Sequence, residues 1–346
     1  MATEPATEFA LEGPAAFEEE AKRAKVAGLG PWRLAMRRLR RNKSALAFGA
    51  LFLVIVAMCL AAPLWANHVA HTDAIKNHLT DTVKVGGKTK DVVSPDGKPI
   101  GPTWHGRFFL GADTNGRDIA VRLLYGGRTS LTIGIGAALI TALLSVIFGV
   151  MAGYFRGVTD AVISRSLDLI WSFPVILLGV ALGTALALGG LKIGPIEIEG
   201  DSKLIPTLII AIVYIPYMAR PIRGQVLALR EKEFVEAARA QGAGPLRIMF
   251  TEILPNLSST IVVFVPLMMA NAILLEAALS FLGAGVRPPN PSWGTMIGDG
   301  VEKIITAPHL AIVPGVMLVL TVLALNVFGD GVRDALDPRA KLHLEH

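Results

Sequence analysis

The chain has 346 residues, 52% of them hydrophobic and only 18% charged, with a formal net charge of +5 and a mean hydropathy of +0.53. A soluble domain carries about a quarter charged residues, so the composition points to a membrane protein whose basic excess marks cytoplasmic loops. One cysteine, Cys59, excludes an intrachain disulfide and a cysteine-rich zinc site, and no basic stripe interleaved with aromatic residues points to a nucleic-acid partner.

Residues 1–30 are acidic and alanine-rich without an apolar signal core, which reads as a flexible cytoplasmic tail. The segment 31–66 begins with "RLAMRRLRRNK" and continues into the first apolar run, Ser44–Trp65. A bilayer core takes about 20 apolar residues per helix. Five more runs meet this need: Ser130–Tyr154, Leu169–Leu191, the shorter Leu204–Ala219, Leu257–Leu282 and Ala311–Phe328. Leu204–Ala219 is expected to run on past Arg220 by snorkelling.

The segment 67–107 is a long loop, turn-rich and hairpin-like around "VKVGGKTKDVVSPDGKPIGP". Its Gly86–Thr89, "GGKT", lacks the earlier glycine that a phosphate loop requires, since that position is Thr82. A β-turn is the expected structure. At the entry to the next span, Asp113, Arg117 and Asp118 stand near Arg122 and Arg128, placed to hold the loop on the core.

Orientation follows from lysine and arginine. Arg33, Arg37, Arg38, Arg40, Arg41 and Lys43 precede the first run, and Arg220, Arg223, Arg230, Lys232, Arg239 and Arg247 follow the fourth. The short loops on the other side carry two basic residues each. Both termini and the loop after the fourth run are therefore expected in the cytoplasm.

That loop reads "EFVEAARAQGAGPLRIMFTEILPN" over Glu233–Asn256. Gln225–Gln241 suits a helix. Gly242 and Gly244 can end it, because glycine accepts left-handed backbone angles. Pro245 suits the first turn of a second, short helix, "PLRIMFTEIL", with Pro255 ahead of membrane re-entry.

Glu236-Ala237-Ala238, then Gly242, then Ile253-Leu254-Pro255, resembles the EAA motif of binding-protein-dependent ABC importer permeases. Thr251-Glu252 departs from the basic pair usual before the isoleucine. The stretches Phe108–Gly134, Leu274–Ile297 and Gly329–Arg339 are similar to the core entry, fifth-span exit and C-terminal signature of the C-type permease in the dipeptide, oligopeptide and nickel class. The resemblance covers most of Pro31–Arg339 and implies a five-span permease core over 108–339, followed by a C-terminal tail, 340–346.

The resemblance implies an all-α integral membrane protein with six transmembrane helices, a cytoplasmic EAA coupling-helix loop and one long outer loop. It would sit in a bacterial plasma (inner) membrane. It implies a second homologous permease subunit, ABC ATPase subunits that bind ATP and Mg, and an extracytoplasmic solute-binding protein. This chain itself would hold no cofactor and no metal and would catalyse nothing. The residues implied in ATPase coupling are Glu236, Ala237, Ala238, Gly242, Ala243, Gly244, Pro245, Leu246, Arg247 and Phe250. Met268, Asn271 and Glu276, within the fifth run, are candidates for the translocation path, Glu276 also for an interhelix hydrogen bond. Peptide is the expected cargo; nickel or another small solute fits the same motifs. A secondary transporter would need several mid-membrane ionisable groups, and Glu276 is the one acid well inside an apolar run.

Overall fold

The computed structural model of the protein describes residues 31–337. The expected tails, 1–30 and 340–346, lie outside the described residues. Helix α1 is Pro31–Arg41, α2 is Lys43–Leu60 and α3 is Ala62–Trp65, running into a π-helical turn, Ala66–Ala70. Strands β1 (Thr82–Val85) and β2 (Lys88–Asp91) form an antiparallel hairpin in the long loop. Gly86 and Gly87, the two residues joining them, have φ +58° and +79°. Two left-handed residues are what a two-residue hairpin turn requires, so the "GGKT" glycines form the expected turn.

Helix α4 spans Ile119–Phe155, 37 residues starting at an Asp118 N-cap. At about 1.5 Å per residue it is roughly 55 Å long, far more than a bilayer core of about 30 Å, so its ends project past the apolar layer. Helices α5 (Gly157–Trp171) and α6 (Val175–Gly189) follow, then a second hairpin, β3 (Leu191–Ile193) with β4 (Ile196–Ile198). Helix α7 is Leu204–Leu229, α8 is Glu233–Ala240, α9 is Pro245–Phe281, α10 is Trp293–Val301 and α11 is His309–Leu336. Among the described residues, five helices are long and apolar enough to cross a membrane: α2, α4, α7, α9 and α11; counting the bent pair α5–α6 as one span gives six.

That bent pair corrects the expected continuous run Leu169–Leu191. The chain turns by 88° between α5 and α6, at Ser172-Phe173-Pro174. Proline disfavours helical geometry in the residue before it and has no amide to donate. Pro174 sits at the N-cap of α6, in an extended conformation. The fourth run behaves as expected, continuing through Arg220 to Leu229.

The broadest helix interface joins α4 to α7. It is a seam of small residues at intervals of four, Thr141, Ser145, Gly149 and Gly153. The Thr141 hydroxyl donates to the Ala211 carbonyl at 3.1 Å, and the Ser145 hydroxyl donates to the Ile215 carbonyl at 3.0 Å, beside the helix-interior Pro216. A Cβ on Gly149 would lie 2.7 Å from Ile222 Cγ2 and 2.9 Å from the Ala219 carbonyl; one on Gly153 would lie 2.6 Å from Val226 Cβ. Lipid offers no hydrophobic drive between helices, so close backbone approach and interhelix hydrogen bonds supply the contact.

At the end of the bundle carrying the long loop, Trp293 is fully buried. Its indole N–H donates to the Leu123 carbonyl at 3.1 Å, and its amide donates to Ser130 Oγ at 3.1 Å. Asp118 ties the loop to α4: its carboxylate accepts from the Phe108 amide at 2.6 Å and the Val121 amide at 3.2 Å. Burial pushes this carboxyl above the usual carboxylate range, with those amide hydrogen bonds opposing. Asp113 pairs with Arg117 at 2.6 Å, and Arg122 Nη1 donates to the Ala74 carbonyl at 2.9 Å. These contacts perform the loop-holding role expected for Asp113, Arg117 and Asp118.

Candidate coupling surface

The opposite end of the bundle carries the glycine-hinged loop. The arginines that mark it as basic are largely engaged within the chain. Arg223 holds Asp160 of α5 with two hydrogen bonds, 2.5 and 2.6 Å. Arg220 pairs with Asp168 at 2.7 Å and lies over the Trp171 ring at 4.3 Å, and Arg156 pairs with Glu231 at 2.6 Å. Arg230 donates to the Tyr154 carbonyl. These contacts fix the end of α7 against α4 and α5.

The expected helix Gln225–Gln241 is two helices. Helix α7 stops at Leu229, the chain turns through Arg230–Lys232, and α8 starts at Glu233. The Arg230 and Arg239 guanidiniums both lie about the Tyr154 ring, at 5.8 and 5.9 Å from its centroid. Val235 is fully buried and anchors α8 to the bundle.

Gly242 ends α8 in a Schellman motif. Its φ is +81°, its amide donates to the Arg239 carbonyl at 2.9 Å, and the Ala243 amide donates to the Ala238 carbonyl at 3.0 Å. Ala238 and Ala243 pack together onto the core beneath. A Cβ at Gly242 would meet nothing within 4 Å, so glycine is demanded by backbone angle and not by space. Gly244, expected to share this duty, has an ordinary φ of −73° and serves as N-cap ahead of Pro245.

The short helix expected after the hinge does not end at Pro255. Its first turn, Pro245–Arg247, passes into a π-helical stretch, Ile248–Ile253, and then without a break into Leu254–Phe281. The π-helical turn lies directly ahead of Pro255, whose missing amide would otherwise leave a carbonyl of a regular helix without its donor. The hinge-proximal turn and the fifth span are therefore one rod, α9.

This rod is anchored on one side and bare on the other. Ile248, Met249 and Ile253 are buried in a cluster with side chains of α4, α7 and α8. Leu246 and Phe250, one turn apart, are 67% and 65% exposed. With exposed Glu233, Phe234, Glu236, Ala237 and Arg247 they make a mixed apolar and charged face. Of the residues implied in coupling, Ala238 and Ala243 are half-buried supports, whereas Glu236, Ala237, Gly242, Gly244, Pro245, Leu246, Arg247 and Phe250 are exposed. The anchors Ile248, Met249 and Ile253 were not singled out from sequence, although their spacing on one side of a helix was the available signal.

The three candidate path residues are not brought together on a surface. Met268 and Glu276 are buried inside the chain's own packing. The Glu276 carboxylate accepts from Ser280 Oγ at 2.7 Å through one oxygen. Asn271 is half-buried, its carbonyl accepting from Tyr214 at 3.4 Å. An open groove of about 760 Å³ instead runs between α7, α9 and α11 near the hinge, with Gln225, Ser259, Thr260, Asn326, Asp330 and Arg333 among its walls.

Residues 117–342 match the family described as the binding-protein-dependent transport system inner membrane component. The chain belongs to this family. Residues 30–79 of the permease also match the N-terminal TM domain of oligopeptide transport permease C. The permease is 36% identical over 311 residues to the glutathione transport system permease protein GsiD of Pectobacterium atrosepticum, covering 90% of this chain and 92% of that one. It is 35% identical over 313 residues to the dipeptide transport system permease protein DppC of Alkalihalophilus pseudofirmus, covering 90% and 91%. A solved inward-facing structure of the MetNI methionine ABC transporter shares the fold, with a TM-score of 0.50 at 19% identity over 62% of this chain and 96% of that one. The chain is thus a multi-pass inner membrane permease of an ABC importer. It is a non-catalytic component that works with a binding protein and an ATPase. Permeases of this family typically bind no cofactor.

Proposed function

We propose that this permease imports peptides and that the exposed face of α8 and the start of α9 is where a separate ATPase drives it. The peptide reading rests on its relatives, the glutathione permease GsiD and the dipeptide permease DppC, which match about nine-tenths of the chain. The coupling reading rests on one geometric observation: Leu246 and Phe250 are bare, while the same helical rod is bolted to the bundle through Ile248, Met249 and Ile253 and continues as the fifth span. A push on that face moves a membrane-crossing element directly.

In this reading both termini and the α8–α9 hinge are cytoplasmic, and an extracytoplasmic binding protein delivers cargo to the opposite end. A second, similar permease closes the groove between α7, α9 and α11 into a path. ATP binding and hydrolysis with Mg occur on the ATPase, and the permease alternates between two states that the ATPase biases. Met268 and Glu276 contribute to the path indirectly, through the packing of α9, and Asn271 lies at its margin.

The hinge tests this. Gly242→Val forces a β-branched residue into a left-handed angle, at a cost of about 1–2 kcal/mol, and swings α8 relative to α9. Gly244→Val keeps an allowed angle and open space. The expected result is that Gly242→Val lowers co-purification of the ATPase and uptake together by roughly ten-fold, with membrane insertion unchanged, while Gly244→Val has a smaller effect. Unaltered ATPase retention and uptake in the Gly242 variant would remove the hinge from coupling.

A further inference from the structure

Helix α1, ahead of the first span, has two unlike faces. Trp32, Ala35, Met36 and Leu39 recur at helical spacing on one side, and Arg33, Arg37, Arg40 and Arg41 on the other. The apolar four form one wall of a pocket of about 450 Å³. Val265, Pro266 and Met269 of α9 and Phe328 and Val332 of α11 are among its other walls. The larger groove, with Thr260, Val263 and Phe264 among its walls, meets this pocket at Leu336, which lines both. Arg38 alone among the arginines of α1 is tied down, donating to the Asp337 carbonyl at 2.8 Å. Arg33, Arg37, Arg40, Arg41 and Lys43 are exposed and make no ion pair among the described residues.

We propose that this pocket is a binding site for one anionic phospholipid, the acyl chain lying between α1, α9 and α11 and the headgroup phosphate held by the arginines of α1. Two observations fix the occupant. The pocket walls are apolar side chains, which suits a hydrocarbon chain. Among the described residues, the unpaired charges of α1 itself are all positive, which suits a phosphate at the membrane surface. Helix α1 meets α2 after a single residue, Asn42, whose side chain caps α2 by accepting from the Ala45 amide at 3.0 Å. That cap sets α1 at the boundary of the first span, where headgroups and acyl chains meet. The site also has a consequence for the coupling rod, because Pro266 and Met269 lie on α9, so a lipid seated there touches the element proposed to carry the ATPase movement. Only that consequence rests on the proposed coupling function.

The experiment uses the whole transporter, purified with its partner subunits and stripped of lipid, and counts retained lipid by native mass spectrometry. Phosphatidylglycerol and phosphatidylcholine of equal chain length are added back separately. The wild type is expected to retain at least one more phosphatidylglycerol than phosphatidylcholine. Arg33→Gln/Arg37→Gln/Arg40→Gln should lower the phosphatidylglycerol affinity by about ten-fold or more without changing phosphatidylcholine. Met36→Trp, which fills the pocket from an exposed position, should lower retention with every arginine still present. Glycerol phosphate, a headgroup without a chain, should not displace the lipid. Equal retention of the two lipids, full retention in the triple variant or in Met36→Trp, or displacement by glycerol phosphate would each overturn the site. ATPase retention in the same samples reports on the coupling surface separately.

Discussion

A Leu246→Asp/Phe250→Asp double variant should insert and fold as the parent does, yet lose ATP-driven uptake by at least about a hundred-fold. Both side chains are about two-thirds exposed in the isolated permease, 67% and 65%, so within this chain the change costs little. Among the described residues these two are the large apolar side chains exposed in the first turns of α9. Apolar anchors at the centre of an interface typically cost ~2 kcal/mol or more each when removed, and a charge placed against an apolar groove costs further desolvation. The measurement pairs uptake in proteoliposomes with ATPase co-purification, and both should fall together. Val235→Asp or Ile253→Asp should instead lower the yield of folded permease, because those residues are buried. The contrast between the two outcomes separates docking from folding.

The second large effect is at the α4–α7 seam. Gly149→Leu should leave little properly assembled permease, read as loss of a monodisperse peak and of the thermal transition in detergent. Even the first added atom would lie 2.9 Å from the Ala219 carbonyl and 2.7 Å from Ile222 Cγ2. Backbone cannot swing aside as a side-chain tip can. Overpacking alone costs about 1–3 kcal/mol, and here separation of the helices would also break the Ser145 and Thr141 hydrogen bonds to α7 carbonyls. Gly224→Leu is the control, since a Cβ at Gly224 meets nothing within 4 Å and no left-handed angle is needed there. It should fold normally.

Much of this architecture is legible in the chain because lipid imposes a length rule on apolar runs, and five of the six expected runs lie in long helices. The third run shows where that rule stops. A span that is hydrophobic all round carries no periodicity, and proline does not by itself declare a break. Pro216, Pro221, Pro266 and Pro314 all sit inside helices, whereas Pro174 sits at an 88° bend. Neighbouring helices decide between these outcomes, and they are distant in sequence.

The coupling loop is half legible for a related reason. The left-handed angle at Gly242 is a local property, so glycine there could be read directly. The continuation of α9 through Pro255 depends on a π-helical turn whose anchors, Ile248 and Ile253, join a buried cluster with side chains of α4, α7 and α8. The engagement of Arg223 with Asp160 spans 63 positions, which charge counting along the chain cannot see. That pairing also refines the meaning of the basic loop: its arginines brace the end of α7. Glu276 is the opposite case, a buried acid whose hydrogen-bond donor, Ser280, lies one turn along the same helix.

The proposed coupling requires that the exposed start of α9 touch the ATPase. The direct measurement places a photo-activatable phenylalanine analogue at position 250, a conservative change on a bare surface, in the complete transporter. The account predicts a covalent adduct between the permease and the ATPase subunit whose yield changes between nucleotide-free and ATP-bound states, with none from the same analogue at Trp32 of α1. Adducts confined to lipid or to the permease itself, in every nucleotide state, would contradict it.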